Sequence, residues 1–281
     1  MVNRVQEEVS EEEVSEKEAQ LIKRIKSFNK VLVAFSGGVD STYLLAVAHQ
    51  TLGKNCKAVF ARGPMMSSQE EREALALVEH YDFPLEVINF DALAIDKFRE
   101  NPPNRCYFCK KKLFESFLDL SQRSEHFTVI EGTNASDTQD YRPGRIALQE
   151  LGIISPLLEV GLTKAEIRVL SRRRGLPTWN KPSMACLASR VPYGDSITAE
   201  LLQCIAQAEA ILHQRGYSEC RVRVHGEIAR IEIPQVDFSK FFQQYLEIIV
   251  PLQALGFRFV TLDLMGLCSG SLNPSQQEVL V

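Results

Sequence analysis

An apolar run, Val31-Leu32-Val33-Ala34-Phe35, leads directly into Ser36-Gly37-Gly38-Val39-Asp40-Ser41, and that hexapeptide leads into a stretch carrying Tyr43, Leu44, Leu45 and Val47 at helical spacing. The order predicts a buried strand, a glycine turn and a helix start. A helix N-terminus presents unsatisfied N–H groups and a partial positive charge, which suits an anion. Two glycines let the backbone approach a phosphate closely, and the serine hydroxyls add donors. Asp40 makes sense beside phosphates if it holds a divalent cation that bridges them, expected here to be Mg2+. The lysine that precedes Ser or Thr in the Walker loop is missing, so this is a different phosphate loop.

The surrounding chain narrows the setting. Its 281 residues are enough for two domains or one large one. A net charge of −4 argues against a nucleic-acid partner. No apolar stretch approaches the ~20 residues needed to span a bilayer, and the acidic N-terminus is unlike a signal peptide, so a cytoplasmic protein without a membrane partner is expected. Seven cysteines in such a chain point to free thiols, metal or redox chemistry rather than a disulfide framework.

Apolar patterning predicts strands over 31–35, 58–61, 85–90 and 127–130, alternating with helices over about 41–52, 67–81, 108–120, 145–151 and 163–174. Strands alternating with helices imply α/β architecture, with a parallel sheet covered on both faces. The phosphate loop would then lie at a strand's carboxyl end, where such sheets bind ligands. Beyond the proline-rich stretch 177–192 the pattern changes to a long helix over 198–215 and a hairpin of 221–225 and 229–233 about Gly226. A helix over 238–255, with Pro251 as its kink or boundary, and a strand over 257–264 follow. The expected organisation is a disordered acidic lead-in over 1–20, an α/β domain over 21–180 and a smaller α+β domain over 181–281.

Cys106 and Cys109 form a Cys-x-x-Cys at a helix start, and Cys186 lies in the interdomain segment. The pair reads as packing thiols, as a redox pair lacking a thioredoxin-like setting, or as metal ligands. Structural zinc would want a fourth ligand, and a second Cys-x-x-Cys is missing. Three cysteines would suit a 4Fe-4S cluster with one iron lacking a protein ligand. Cys56, Cys204, Cys220 and Cys268 read as packing residues.

The hexapeptide Ser36–Ser41 resembles the PP-loop of the ATP pyrophosphatases, which cleave ATP to AMP and pyrophosphate. Further strings narrow the resemblance: Glu131-Gly132-Thr133-Asn134, Asp140-Tyr141-Arg142-Pro143-Gly144, Ser189-Arg190-Val191-Pro192-Tyr193-Gly194 and Arg221-Val222-Arg223-Val224-His225. With them the chain, from about residue 20, resembles the LarE family of ATP-dependent sulfur transferases, which help make the nickel-pincer nucleotide cofactor of lactate racemase. The resemblance implies a PP-loop ATP-pyrophosphatase (adenine nucleotide alpha hydrolase-like) domain followed by the smaller α+β domain. It implies that ATP adenylates a carboxylate of pyridinium-3,5-biscarboxylic acid mononucleotide and that sulfur then displaces AMP. One branch of the family sacrifices the sulfur of a single cysteine, which falls at or near Cys186; the other holds a 4Fe-4S cluster on three cysteines. Cys106 and Cys109 tilt the expectation toward the cluster, supplied by sulfide or a cysteine desulfurase. A homo-oligomer is also implied.

Residue by residue, Ser36, Gly37, Gly38, Asp40 and Ser41 should hold the pyrophosphate end of ATP, and Ala61, Arg62 and Gly132 should lie near the nucleotide. Arg190, Arg221 and Arg223 are candidates for the substrate's phosphate or carboxylates, because guanidinium groups grip such oxyanions bidentately. Arg221 and Arg223, two apart on a strand, share a face. Glu209 and Glu232 suit either partnership with these arginines or cation binding; Asp137 and Asp140 suit either Mg2+ ligation or loop pinning. The competing readings are a PP-loop tRNA thiolase, which a chain of net charge −4 disfavours, an ammonia-using synthetase and a nucleotide sensor.

Overall fold

Apolar runs and amphipathic stretches fold, in chain order, as α1 (Glu11–Lys26), β1 (Val31–Phe35), α2 (Val39–Leu52), β2 (Cys56–Arg62), α3 (Ser68–His80), β3 (Leu85–Asn89), α4 (Asp96–Arg99), α5 (Arg105–Arg123), β4 (Thr128–Ile130), α6 (Gly144–Glu150), α7 (Pro156–Glu159), α8 (Lys164–Arg173), α9 (Ala199–Gln214), β5 (Arg221–His225), β6 (Ile228–Glu232), α10 (Phe238–Ala254) and β7 (Phe259–Leu262). This computed structural model describes residues 10–124, 126–139, 143–183, 185–268 and 270–272. Asp140, Tyr141, Arg142 and the first nine residues of the expected lead-in lie outside the described residues.

Two compact units divide the chain. The first holds the described residues up to Arg62, with Ser68–Phe90 and Cys109–Ser183; the second holds Gly63–Ser67, Asp91–Phe108 and the described residues after Met184. The expected single cut near residue 180 is therefore replaced by an interleaved division, in which two early excursions belong with the C-terminal half.

In the first unit β3, β2, β1 and β4 lie side by side in that order, and all run parallel. Both faces of such a sheet are covered, which is why its strands read as nearly continuous apolar runs. Leu32, Val59 and Val129 pack on Phe114 and Phe117 of α5 and on Leu148. Helix α2 is buried almost all round, with Tyr43, Leu44, Leu45 and Val47 fully enclosed. The strand order reverses direction at β1, because β2 and β3 continue to one side and β4 lies on the other. That makes the carboxyl ends of β1 and β4 the switch point, where open α/β sheets bind their ligands.

The acidic stretch expected as a disordered lead-in is helical from Glu11 onward. Ser10 caps it by accepting from the Glu13 N–H, three glutamates occupy its first turn, and Val14, Leu21 and Ile25 are buried. Acidic residues in the first turn favour the helix through its dipole, and the apolar stripe anchors it.

In the second unit β5 pairs antiparallel with β6 across Gly226, and β6 pairs parallel with β7. Helices α9 and α10 pack beside this sheet. Pro251 neither ends nor kinks α10; the backbone leaves helical geometry at Gln244 instead. The carbonyl that Pro251 leaves without a donor belongs to Glu247, an exposed residue.

Candidate active site

The loop after β1 is drawn tight by its own serines. Ser41 Oγ accepts from the Ser36 N–H at 3.2 Å, lies 3.1 Å from Ser36 Oγ and donates to the Gly38 carbonyl at 3.3 Å. Gly38 caps α2 without a side-chain capping hydrogen bond, so the positive end of the helix is open to an anion. Gly37 has φ +73°, and a Cβ there would meet Ala74 Cβ at 2.7 Å. Gly132, just past β4, sits so close to the loop that a Cβ would lie 3.1 Å from Ser41 N. The loop thus needs glycine at Gly37 for backbone conformation and at Gly132 for approach. We predict that Gly37→Ala raises the KM for ATP at least tenfold and lowers stability by about 1–3 kcal/mol, read from initial rates and thermal unfolding.

Asp40, in the first turn of α2, has two differently served oxygens. Oδ2 accepts from Lys164 Nζ at 2.5 Å, whereas Oδ1 is buried with no partner. Burial pushes its carboxyl above the usual range, Lys164 opposes this, and the nearby Asp137 adds to the rise. Asp137 Oδ2 in turn accepts from the Asn134 N–H at 3.0 Å, which folds the loop after β4. Glu131, buried at the end of β4, fixes the same loop through the Thr133 N–H at 3.0 Å, the Thr133 hydroxyl at 2.8 Å and Ser155. An orphaned carboxylate oxygen with a second carboxylate nearby suits a hard cation.

Two lysines to which the sequence alone assigns no role reach this loop, although Lys181 ends Trp179-Asn180-Lys181, a further string in the resemblance to the LarE family. Lys164 opens α8 behind a capping box of Thr163 and Glu166, and Lys181 donates to the Gly37 carbonyl at 3.4 Å while pairing with Glu73 at 2.9 Å. Lys181 follows Trp179-Asn180, yet nothing local marks either lysine as a phosphate ligand. Ala61 ends among the half-buried packing residues of the sheet, and Arg62 pairs with Glu71 at 2.5 Å at the carboxyl end of β2.

The second unit holds the arginines. Arg190, expected to face substrate, is instead held by the fold. Its Nε and Nη2 donate to Glu209 at 2.8 and 2.9 Å, and its Nη1 donates to the Ala185 carbonyl and Ser189 Oγ. A guanidinium 6% exposed needs such a partner, and here it shapes the segment that carries Cys186. Glu209 also accepts from the Val222 N–H at 3.0 Å. Arg223 is paired with fully buried Glu232 at 2.9 Å and donates to the Ser189 carbonyl at 2.6 Å. Arg221 and Arg223 line one cavity of about 100 Å³ together with Arg105, Ser189 and Tyr193.

None of the seven cysteines is in a disulfide. Cys106 and Cys109 stand one turn apart at the start of α5, which runs from the second unit into the first. Cys106 and Cys186 are solvent-accessible and close enough to influence one another electrostatically. The protein atoms crowding Cys186 hold its thiol up at about 11 despite that access; the Ala188 N–H and the charges of Arg105 and Arg190 pull the other way. Among the described residues, no three histidines, cysteines or acids gather round a single metal ion. A 4Fe-4S cluster asks for wider spacing, because each iron takes one thiolate. No helix among the described residues is long and apolar enough to cross a membrane.

Known proteins resemble this arrangement. A family model described as NAD synthase matches residues 13–104, the part that carries the loop and its sheet. An uncharacterized protein of Synechocystis sp. is 41% identical over 87% of this chain and 92% of its own. The pyridinium-3,5-bisthiocarboxylic acid mononucleotide synthase of Lactiplantibacillus plantarum is 36% identical over 92% of this chain and 94% of its own. The glutamine-hydrolyzing GMP synthase of Maridesulfovibrio salexigens is 28% identical over 68% of this chain. With a switch-point PP-loop in place and similarity to the Lactiplantibacillus enzyme over nearly the full length of both, the chain belongs to the LarE family of PP-loop, ATP-dependent sulfur transferases.

Proposed function

We propose that the protein converts the carboxylates of pyridinium-3,5-biscarboxylic acid mononucleotide to thiocarboxylates, in the route to the nickel-pincer cofactor. What carries this reading is the end-to-end similarity to an enzyme named for the bisthiocarboxylic acid product. A carboxylate oxygen attacks the α-phosphorus of ATP and pyrophosphate leaves, giving an acyl adenylate. A sulfur nucleophile then adds to the acyl carbon, the acyl–oxygen bond breaks, and AMP leaves. The loop Ser36–Ser41 holds the departing pyrophosphate through the open N-terminus of α2, with Ala61, Arg62 and Gly132 alongside the nucleotide. Asp40 offers its unserved oxygen to Mg2+. Arg221 and Arg223 hold the anionic groups of the substrate in the second unit's cavity.

Cys106, Cys109 and Cys186 are the proposed holders of a 4Fe-4S cluster, whose iron without a protein ligand would carry the transferable sulfide. The two accessible thiols fit that role, and the third sits one helical turn from Cys106. The donor that reloads the site is sulfide or a cysteine desulfurase, and the working form is a homo-oligomer. Pyrophosphate release from anaerobically purified protein tests the substrate: release should require the biscarboxylate mononucleotide, and release on tRNA instead would overturn it. Iron and sulfide analysis of the same sample tests the cluster; a metal-free, active protein that loses cysteine sulfur would sink that part.

A further inference from the structure

The cavity in the second unit contains a guanidinium that no sequence signal marked. Arg105, 5% exposed, lines it beside Arg221 and Arg223. Its partners are neutral: Nη1 donates to Asn101 Oδ1 at 2.6 Å, and the guanidinium carbon lies 4.7 Å from the centre of the Tyr193 ring. Arg221 donates to the Cys268 carbonyl at 3.2 Å. Arg223 has Glu232, which it shares with Arg230, but its buried Nε has no acceptor. Of the three guanidiniums that line the cavity, only Arg223 pairs with a carboxylate, and Arg230 engages that same carboxylate. A buried guanidinium without a counter-charge is costly, so the arrangement is balanced only when an anion enters. Burial, and after it the charges of Arg223 and Arg190, push Arg221 below the usual arginine range, while Glu232 and Glu209 pull the other way.

We propose that Arg105 is the third guanidinium of a phosphomonoester site formed with Arg221 and Arg223, and that Asn101 is the positioning residue that aims it. The proposal rests on the reading above, in which this cavity receives the mononucleotide. A cavity of about 100 Å³, open on one side and lined by three guanidiniums, has room for an anionic group the size of a phosphate. Three planar forks around one dianion also match phosphate geometry better than they match a single carboxylate. Asn101 is fully buried with φ +55°. Its amide donates to the Pro192 and Asp195 carbonyls at 2.7 and 3.0 Å, and its own carbonyl accepts from the Gly194 N–H at 3.0 Å. The side-chain oxygen left over can serve only Arg105. Because Arg105 is bonded directly to Cys106, the residue that anchors the phosphate also fixes the first thiol.

Calorimetric titration of the full chain with nicotinic acid mononucleotide, inorganic phosphate, the phosphate-free nucleoside and ATP tests this. Arg105→Gln should weaken the mononucleotide at least tenfold and abolish competition by inorganic phosphate, while ATP and the nucleoside bind as in wild type. Unchanged mononucleotide affinity overturns the site. If Arg105→Gln also loses ATP binding, Arg105→Lys decides: a several-fold loss for the mononucleotide supports the site, and wild-type affinity overturns it. Asn101→Ala should raise the KM for the biscarboxylate mononucleotide more than it lowers kcat; a fall in kcat alone removes Asn101 from the positioning role. Wild-type protein that binds nicotinic acid mononucleotide but never turns over the biscarboxylate nucleotide overturns the proposed reaction and leaves the phosphate site standing. Wild-type protein that binds neither the mononucleotide nor phosphate overturns the site.

Discussion

Asp40→Asn should lower ATP-dependent pyrophosphate release by a factor on the order of 10³, the loss typical when charge stabilisation at a reacting phosphate or oxyanion is removed. The substitution keeps the shape of the side chain and an acceptor for Lys164, but removes the charge that attracts a cation. Asp40 is the group to test because its two oxygens are unequally served. Lys164 accounts for one at 2.5 Å, and nothing among the described residues accounts for the other. Burial disfavours the charge of this carboxylate, Asp137 adds to that, and together they outweigh the favourable pull of Lys164. Removing such a group should leave the unfolding midpoint unchanged or raise it. Catalytic loss and stability therefore move apart, which a folding defect would not produce. A variant that keeps activity within tenfold of wild type, assayed for pyrophosphate at saturating Mg2+, would show that the orphaned oxygen has no part in catalysis.

What could be read from the sequence was what neighbours along the chain decide. Apolar runs bounded by glycine gave β1 and its loop, and period-two alternation about Gly226 gave the β5–β6 hairpin. Both are patterns that a dozen residues can specify. The fates of Arg190 and Arg105 depend on distant partners and were not legible. Arg190 sits in a promising string, yet Glu209, on another helix, claims its fork. Arg105 looks like a helix-start cation, and only the fold carries it to Arg221 and Arg223. Lys164 is 124 residues from Asp40, a pairing without a local signal. Pro251 shows a local rule yielding to context: a proline predicts a break, but it deprives exposed Glu247 of a donor at the solvent-facing side, and the helix runs on. The assignment of Asp91–Phe108 to the second unit is likewise a long-range outcome that composition does not encode.

Glu232→Ala should cost the second unit about 3–5 kcal/mol, the usual consequence of removing one partner from a buried ion pair. Glu232 is fully buried and accepts from Arg223 at 2.9 Å, Arg230 at 3.0 Å and Ser271 at 2.7 Å. Alanine leaves Arg223, 2% exposed, as an uncompensated charge beside two more guanidiniums in the same cavity. A loss of that size is a large part of a typical stability of about 5–15 kcal/mol. The single tryptophan, Trp179, lies in the first unit, so its fluorescence reports that unit while far-UV circular dichroism reports both. Urea unfolding should therefore show the dichroism midpoint falling further than the fluorescence midpoint. The double variant Arg223→Met with Glu232→Leu should recover most of the loss, because paired removal leaves no buried charge behind. Inorganic phosphate should partly rescue Glu232→Ala by supplying the missing negative charge, and should do nothing for the double variant. Equal stability of the single and double variants would mean that packing around Glu232, rather than its charge, holds this part of the unit together.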